Sequence, residues 1–155
     1  IRIQTNSRYS GMYENSVLVQ AMLQQAGINA ELETLDWATQ LDNYLSGRFQ
    51  MQSFGYSARL DPAQLYSILL GNKDDRATIQ WENDEAYALL LETMSTSDFE
   101  ERQSLFRQIH ALMAQDVPIL GVYYEPETGA WRPGVDGFEV WPGGLPRGWG
   151  VSVQR

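Results

Sequence analysis

The 155-residue sequence contains no cysteine and only one histidine, His110. The absence of cysteine excludes disulfide bonds, thiolate nucleophiles, zinc–thiolate sites and iron–sulfur clusters. Without a thiol or a second histidine, the usual nucleophile–base pairs of hydrolases cannot form. His110 lies just outside the apolar stripe of a long predicted helix, which favours a flank or interface position over catalysis. We therefore expect a protein with no enzymatic activity, no cofactor and no metal.

The sequence is also poor in positive charge and in long apolar runs. It has 11 Lys+Arg against 20 Asp+Glu, a formal net charge of −9. This balance argues against a nucleic-acid partner, because binding a phosphate backbone needs clustered cations. No apolar run approaches the roughly 20 residues that span a bilayer. A hydrophobic fraction of 43% with five tryptophans and eight tyrosines is instead typical of one globular domain.

The first 56 residues alternate between strand and helix patterns. Alternation with period two predicts strands, and a 3.6-residue period predicts helices. The strands are predicted over residues 2–7, 28–35 and 49–56. The helices are predicted over residues 12–26, ended by Gly27, and after the cap residue Asp36. The side chains expected to face the core are Leu18, Ala21, Met22 and Gln25 on the first helix, and Trp37, Leu41, Tyr44 and Leu45 on the second.

The second half is mainly helical until a final apolar run. Asp61 and Pro62 predict a helix start, residues 72–81 a surface loop, and residues 84–94 a further helix. Ser97 and Glu100 predict a capping box for a long helix over residues 98–115. The run ILGVYY, residues 119–124, predicts a central strand buried on both faces. Together the elements predict an α/β fold with a mainly parallel sheet flanked by helices, followed by an irregular tail over residues 125–155.

In such a sheet, ligands bind beyond the carboxyl ends of the strands. The residues that this rule selects as ligand-binding are Asn6, Arg8, Tyr9, Trp37, Tyr56, Ser57 and Arg59. Aromatic rings and arginines there would stack on a small solute and pair with its carboxylate. Structural roles stay open for three of the loop residues. Trp37 also fits the buried stripe of its helix, Asp61 fits a helix cap, and Arg59 fits a loop cation that pairs with a neighbouring acid.

Several segments, in order, resemble one protein family. They are VLVQAMLQQAGINAELETLDW, GRFQMQSFGYSARLDP, WENDEAYALLLE, ERQSLFRQIHALMAQDVPILGVYY and VDGFEVWPGG. The chain resembles the carboxyl-terminal lobe of the extracellular solute-binding proteins of ABC transporters, in family 5, which handles oligopeptides, dipeptides and nickel chelates. Two positions depart from the family pattern. Tyr56 stands where many members have Trp, and Arg59 stands in the loop where peptide binders place an Asp for the ligand's amino group.

The resemblance implies a type II periplasmic-binding-protein lobe over residues 1–155, taken from a longer two-lobed receptor. It implies a tail, residues 125–155, that returns toward the missing amino-terminal lobe. It also implies a peptide or small-molecule solute in a cleft between the lobes, an ABC permease as membrane partner, and a periplasmic or extracellular location at that transporter. Because Arg59 replaces the acidic residue, the expected solute is peptide-like or bears a carboxylate.

Two other functions compete with this one. The chain could be a freestanding α/β module that binds a protein partner through its aromatic tail, without any solute. It could also be an enzyme that uses carboxylate chemistry, which would need a convergent acid–base pair. The adjacent acids Asp74–Asp75 and Glu100–Glu101 point apart on a loop or helix and do not form such a pair.

Overall fold

The computed structural model describes residues 1–141 and 143–154, so that Pro142 and Arg155 of the predicted tail lie outside the described residues. The chain divides into two compact units. The first comprises Ile1–Tyr56 with Ser67–Ala88, and the second comprises Ser57–Tyr66 with Leu89–Arg155. Within the described residues, no helix has both the length and the apolar character needed to cross a membrane.

A three-stranded parallel sheet forms the centre of the first unit. Strand β1 (Arg2–Asn6) lies between β2 (Glu31–Leu35) and β3 (Met51–Gln52). Helices α1 (Ser10–Gln25) and α2 (Trp37–Leu45) connect the strands. The predicted order of elements and the parallel sheet are therefore confirmed. Strand β3 is much shorter than the predicted 49–56.

Local chemistry explains where these two helices begin and end. Asp36 accepts a hydrogen bond from the backbone N–H of Thr39 at 3.0 Å and so caps α2, as predicted. After α1, Gly27 has a φ of +79°, a conformation in which a residue with a Cβ is strained. The turn brings the N–H of Ile28 to the carbonyl of Leu23 at 2.8 Å, which closes the last turn of α1.

The predicted core face of α1 is wrong. Leu18 is 60% exposed and Met22 is 65% exposed. The most buried α1 side chain is Ser16, whose hydroxyl donates to the carbonyl of Met12 at 2.7 Å. Gln20 also turns toward the sheet and donates to the carbonyl of Ala30 at 2.9 Å. Because these inward polar groups are hydrogen-bonded, they can be buried at little cost, and apolarity alone indicated the opposite face.

A similar exchange occurs on α2. Its buried residues are Gln40 and Tyr44, whereas Leu45 is 57% exposed. The prediction is thus confirmed for Tyr44 and wrong for Leu45.

The predicted surface loop over residues 72–81 is also wrong at its end. Trp81 pairs with Leu70 in a parallel bridge and is buried, while residues 72–77 are exposed.

The second unit is built on helices. Helix α3 (Pro62–Leu69) and helix α4 (Asp84–Ser95) each begin or end in the other unit, and α5 (Phe99–Asp116) lies wholly in this one. Leu105 and Ile109 of α5 are buried, as its apolar stripe predicts.

The cap of α5 differs from the predicted one by one residue. Asp98, and not Ser97, accepts from the backbone N–H of Glu101 at 2.8 Å. Glu101 in turn accepts from the hydroxyl of Thr96 at 2.6 Å. The N–H of Asp98 donates to the Thr96 hydroxyl at 3.2 Å and not to Glu101, so the helix keeps an N-cap without the reciprocal bond of a capping box.

The predicted central strand over residues 119–124 is wrong. This run contains no strand, and its side chains are mostly exposed, with Tyr124 fully so. Within the described part of the chain, no other backbone group pairs with the run. Since a strand exists only with a hydrogen-bonded neighbour, the apolar composition of ILGVYY was not sufficient to make one here.

The tail contains a small two-stranded sheet and an aromatic clamp. Strand β4 (Val135–Asp136) pairs antiparallel with β5 (Ser152–Val153). The guanidinium of Arg147 lies 3.6 Å from the ring centroid of Trp141 and 4.9 Å from that of Trp149. Cation–π contacts of this kind give some order to an otherwise irregular segment.

Candidate functional site

A depression of about 450 Å³ lies at the carboxyl ends of β1 and β2. We call it the β1–β2 pocket. The residues that line it are Ser7, Arg8, Leu35, Asp36, Trp37 and Ala38. They come from the β1–α1 turn and from the β2–α2 turn, because parallel strands end at the same edge of a sheet. The sequence predicted this position, and the structure places Arg8 and Trp37 in one pocket there.

A row of aromatic rings continues from the pocket wall into the unit. Tyr9 meets Trp37 edge to face at 5.2 Å, and Trp37 stacks on Phe54 at 5.5 Å. Phe54 then stacks on Tyr44 at 4.5 Å and lies 5.4 Å from Tyr56. Trp37 lines the pocket and packs in the row, while its predicted role in binding a solute stays a prediction. The sequence analysis did not select Phe54 as a site residue, although it follows β3 by only two residues.

The pocket carries one cation and one anion. Arg8 is exposed, with its guanidinium 5.7 Å from the centroid of the Tyr9 ring. Among the described residues, Arg8 has no carboxylate partner. Hydrogen bonds from the Thr39 hydroxyl and the Thr39 N–H lower the pKa of Asp36, so its carboxylate is ionised at neutral pH. The pocket can thus pair with a carboxylate at Arg8 and still repel one at Asp36.

Asn6 and Tyr56 lie deeper than the sequence suggested. Asn6 is fully buried, its amide nitrogen donates to Gln40 Oε1 at 2.5 Å, and its oxygen accepts from the N–H of Tyr9 at 3.1 Å. With both ends of its amide engaged, Asn6 supports the β1–α1 turn. Tyr56 is half-buried, and burial, with a smaller contribution from Tyr44, raises the pKa of its hydroxyl well above the ordinary value, so that it stays neutral.

The predicted residues Ser57 and Arg59 belong to the second unit. Both are exposed, and Arg59 Nη1 donates to the carbonyls of Ser57 and Ala58, each at 3.2 Å. Among the described residues, Arg59 has no carboxylate partner and does not pair with Asp61. A role for Arg59 in binding a solute stays a prediction.

Asp61 has a different partner that the sequence did not reveal. Its two oxygens accept from Arg102 Nη2 at 2.9 and 2.8 Å, and Oδ1 also accepts from the N–H of Ala63 at 2.9 Å. The helix-cap role of Asp61 is therefore confirmed. Arg102 is 41 residues away in sequence, and no local pattern connects the two.

Comparison with known proteins gives relatives of one kind. No family model matches the chain. The probable deoxycholate-binding periplasmic protein YgiS of Escherichia coli is 27% identical over 114 residues, 74% of this chain and 21% of that protein. The heme-binding protein A of Haemophilus influenzae is 27% identical over 140 residues, 88% of this chain and 26% of that protein. The periplasmic oligopeptide-binding protein OppA of Salmonella typhimurium is 25% identical over 113 residues, 72% and 21% of the two chains.

Solved structures agree with this result. The dipeptide-binding protein of Pseudoalteromonas sp. SM9913, in complex with Met-Leu, matches with a TM-score of 0.79 and 18% identity, over 99% of this chain and 32% of that one. The periplasmic binding protein DppA of Helicobacter pylori, in complex with the peptide STSA, matches with a TM-score of 0.67 and 26% identity, over 76% and 24% of the two chains. The chain is a homologue of the periplasmic solute-binding proteins.

The resemblance seen in the sequence is thus confirmed, and so is the periplasmic-binding-protein fold. The homologues are named as binding proteins and not as enzymes. The chain spans about a quarter of the length of the curated relatives that it matches.

Proposed function

We propose that the complete protein is the solute-binding component of an ABC import system and that this chain is its carboxyl-terminal lobe. The short coverage of the relatives supports a longer parent chain. The remaining chain then supplies the amino-terminal lobe, and the tail over residues 125–155 returns toward it. Such a receptor works in the periplasm, closes over its solute by a hinge motion, and delivers it to a permease in the membrane.

The solute that the β1–β2 pocket fits best is peptide-like or small, with a carboxylate and an apolar part. One observation carries this proposal: Arg8 has no carboxylate partner among the described residues, in a chain whose net charge is −9, and it shares the pocket with Trp37. A guanidinium pairs with a carboxylate through two hydrogen bonds, and an indole offers a flat apolar surface. Relatives named for oligopeptides, deoxycholate and heme fit this class, because all three ligands carry carboxylates.

Arg59 is proposed as a second contact for an acidic group. It is exposed and, like Arg8, has no carboxylate partner among the described residues. It lies two residues before Asp61, the cap of α3, and its guanidinium donates to the carbonyls of Ser57 and Ala58. These two features support its role without fixing the solute.

The test is a calorimetric titration of the complete protein with trialanine, deoxycholate and haemin. For whichever of these carboxylate-bearing probes binds the wild type, Arg8→Ala should raise the dissociation constant by tenfold to a hundredfold or more. The reason is that the closed cleft would leave the solute's carboxylate buried without a partner. Arg59→Ala, measured in the same way, should also weaken it. Arg8→Lys should recover only part of the loss, since an ammonium lacks the two-pronged contact.

The matched control is Arg2→Ala. Arg2 lies at the other end of β1, where its exposed guanidinium is 3.8 Å from Glu33 and its backbone N–H donates to Gln50 Oε1 at 2.8 Å. The Arg2→Ala variant should bind every probe as the wild type does. Equal losses in the Arg2 and Arg8 variants, or unchanged binding in the Arg8 variant, would contradict the placement of the carboxylate at Arg8.

An interaction module without any solute is the second candidate, and the exposed tail favours it. Leu145 is 74% exposed and Trp149 is 80% exposed. In a two-lobed receptor the remaining chain covers such side chains. The intact mass of the parent protein from its source separates the two functions. A chain several times longer than 155 residues supports the receptor, and a parent of this size supports the module.

A further inference from the structure

A single buried glutamine, Gln40, connects the three segments that carry Tyr9, Trp37 and Phe54 of the aromatic row. Gln40 of α2 is fully buried, and its Oε1 accepts from the Asn6 amide at the carboxyl end of β1 at 2.5 Å. Its Nε2 donates to the carbonyl of Ser53, just after β3, at 2.8 Å. The backbone carbonyl of Gln40 accepts from Gln52 Nε2 of β3 at 3.1 Å. The side chain and the backbone of one residue therefore connect α2 with both strands.

Each connected segment holds one ring of the aromatic row. Asn6 Oδ1 accepts a hydrogen bond from the N–H of Tyr9 at 3.1 Å. Gln40 is on the same helix as Trp37, and Ser53 directly precedes Phe54. The rings of Tyr9, Trp37 and Phe54 are in direct contact with one another in that order. The amides therefore set the spacing of the rings through the backbone.

Hydrophobic packing could stabilise α2 on the sheet without any amide at this position. Two buried amides cost free energy unless their donors and acceptors are all engaged, and an apolar side chain of similar volume avoids that cost. What an amide network adds is a unique geometry, because each hydrogen bond is directional. We propose that Gln40 and Asn6 are positioning residues, which hold Tyr9, Trp37 and Phe54 in the arrangement that binds the solute. This inference rests on the proposed function of the pocket.

The experiment compares Gln40→Met with Gln20→Met in the complete protein. Both changes remove an amide that donates to a backbone carbonyl in the first unit, from Gln40 to Ser53 and from Gln20 to Ala30. Ala30 precedes β2, at the end of the sheet opposite the pocket. Three readouts are taken: the thermal midpoint, the dissociation constants for trialanine, deoxycholate and haemin, and the ¹⁹F resonance of 5-fluorotryptophan at position 37, assigned with Trp37→Phe.

For Gln40→Met we expect a shifted or broadened Trp37 resonance and binding of the recognised probe weakened by tenfold or more. For Gln20→Met we expect a lower midpoint with the resonance and the binding unchanged. If Gln40→Met lowers only the midpoint, its role is structural and the proposal is overturned. If no probe binds even the wild type, the proposed function fails for these solutes, while the Trp37 resonance still shows whether Gln40 positions the ring.

Asn6→Asp keeps the proposal testable if Gln40→Met does not fold. The new carboxylate still accepts from the N–H of Tyr9 but can no longer donate to Gln40 Oε1. We expect the Trp37 resonance to move and binding of the recognised probe to weaken. An unchanged resonance in a folded Asn6→Asp protein would overturn the positioning role.

Discussion

The Asp61 carboxylate has two structural roles at once in the second unit. It caps the start of α3 through Ala63, and it forms a two-pronged ion pair with Arg102. Arg102 also donates to the carbonyl of Thr93 at 3.0 Å and lies 5.5 Å from the ring centroid of Phe106. The hydrogen bond from Arg102 is the main cause that lowers the pKa of Asp61. One loop residue is therefore held to two later helices.

This arrangement predicts an acid-dependent loss of stability. Because the folded-state pKa of Asp61 is below its ordinary value of 3.8, the carboxylate stabilises the fold above about pH 4. That contribution is lost as the pH falls through the lowered folded-state pKa. Asp61→Asn should therefore reduce the free energy of unfolding by up to about 1 kcal/mol at pH 7, the size of a screened ion pair, because an asparagine can still cap α3. The difference from the wild type should shrink toward pH 2.

Urea denaturation of both proteins across this pH range measures the effect. Asp42→Asn is the control, since the Arg48–Asp42 pair is more than half exposed on both sides and should contribute little. A constant difference between Asp61→Asn and the wild type at every pH would contradict the pKa argument.

At the scale of elements, the sequence predicted what depends on local signals. The alternation of strands and helices, the Asp36 cap and the Gly27 terminus each rest on a few neighbouring residues, and all are confirmed. The failures involve distant partners. Residues 119–124 have the composition of a buried strand but no strand to pair with, and α1 buries Ser16 because its hydroxyl is satisfied within the helix.

The candidate site follows the same division. The rule for parallel sheets selected Arg8 and Trp37, and both line the β1–β2 pocket because the end of a strand can be read from the sequence; their role in binding a solute stays a prediction. Gln40 could not be selected in this way, and Phe54 was not selected because the predicted strand over residues 49–56 extended past it. Their importance comes from contacts with residues in other segments, namely Asn6 for Gln40 and Trp37 for Phe54.

The tail hairpin offers a prediction at this scale. Gly137 has a φ of +75°, and a Cβ built on it would lie 2.2 Å from the carbonyl oxygen of Gly150. Gly137→Ala should therefore open the β4–β5 pair, because the clash is with backbone that cannot rotate away. Gly148→Ala, where a Cβ meets nothing within 4 Å, should leave the pair intact.

Amide hydrogen exchange at Gln154 measures this opening, since its N–H donates to the carbonyl of Gly134 at 2.8 Å. Exchange should accelerate at least tenfold in Gly137→Ala and stay unchanged in Gly148→Ala. Equal protection in both variants would show that the hairpin tolerates a side chain at position 137.

For the whole molecule, the exposed apolar surface calls for an explanation. Leu120, Val122 and Tyr123 are each more than half exposed, as are Leu18 and Met22 of α1. Isolated surface apolar residues are common, but a continuous run of six residues, five of them aliphatic or aromatic, without backbone partners among the described residues is not. Structural neighbours of about three times this length follow the same chain path over 99% of the residues. We propose that the remaining chain of the complete protein, which corresponds to the additional length of these neighbours, covers residues 119–124.

The proposal predicts two differences between the complete protein and the isolated 155-residue chain. Amides of residues 119–124 should exchange quickly in the isolated chain and slowly in the complete protein, because pairing with the remaining chain protects them.

The isolated chain should bind trialanine, deoxycholate and haemin only at millimolar concentration or above. One lobe offers half of a cleft, so the solute stays largely in water and its ordering is poorly compensated. Fast exchange of residues 119–124 in both proteins would contradict the half-cleft argument, and so would micromolar binding by the isolated chain. If exchange is slow in the complete protein but that protein binds all three probes weakly, the choice of probes is wrong and the half-cleft argument stands.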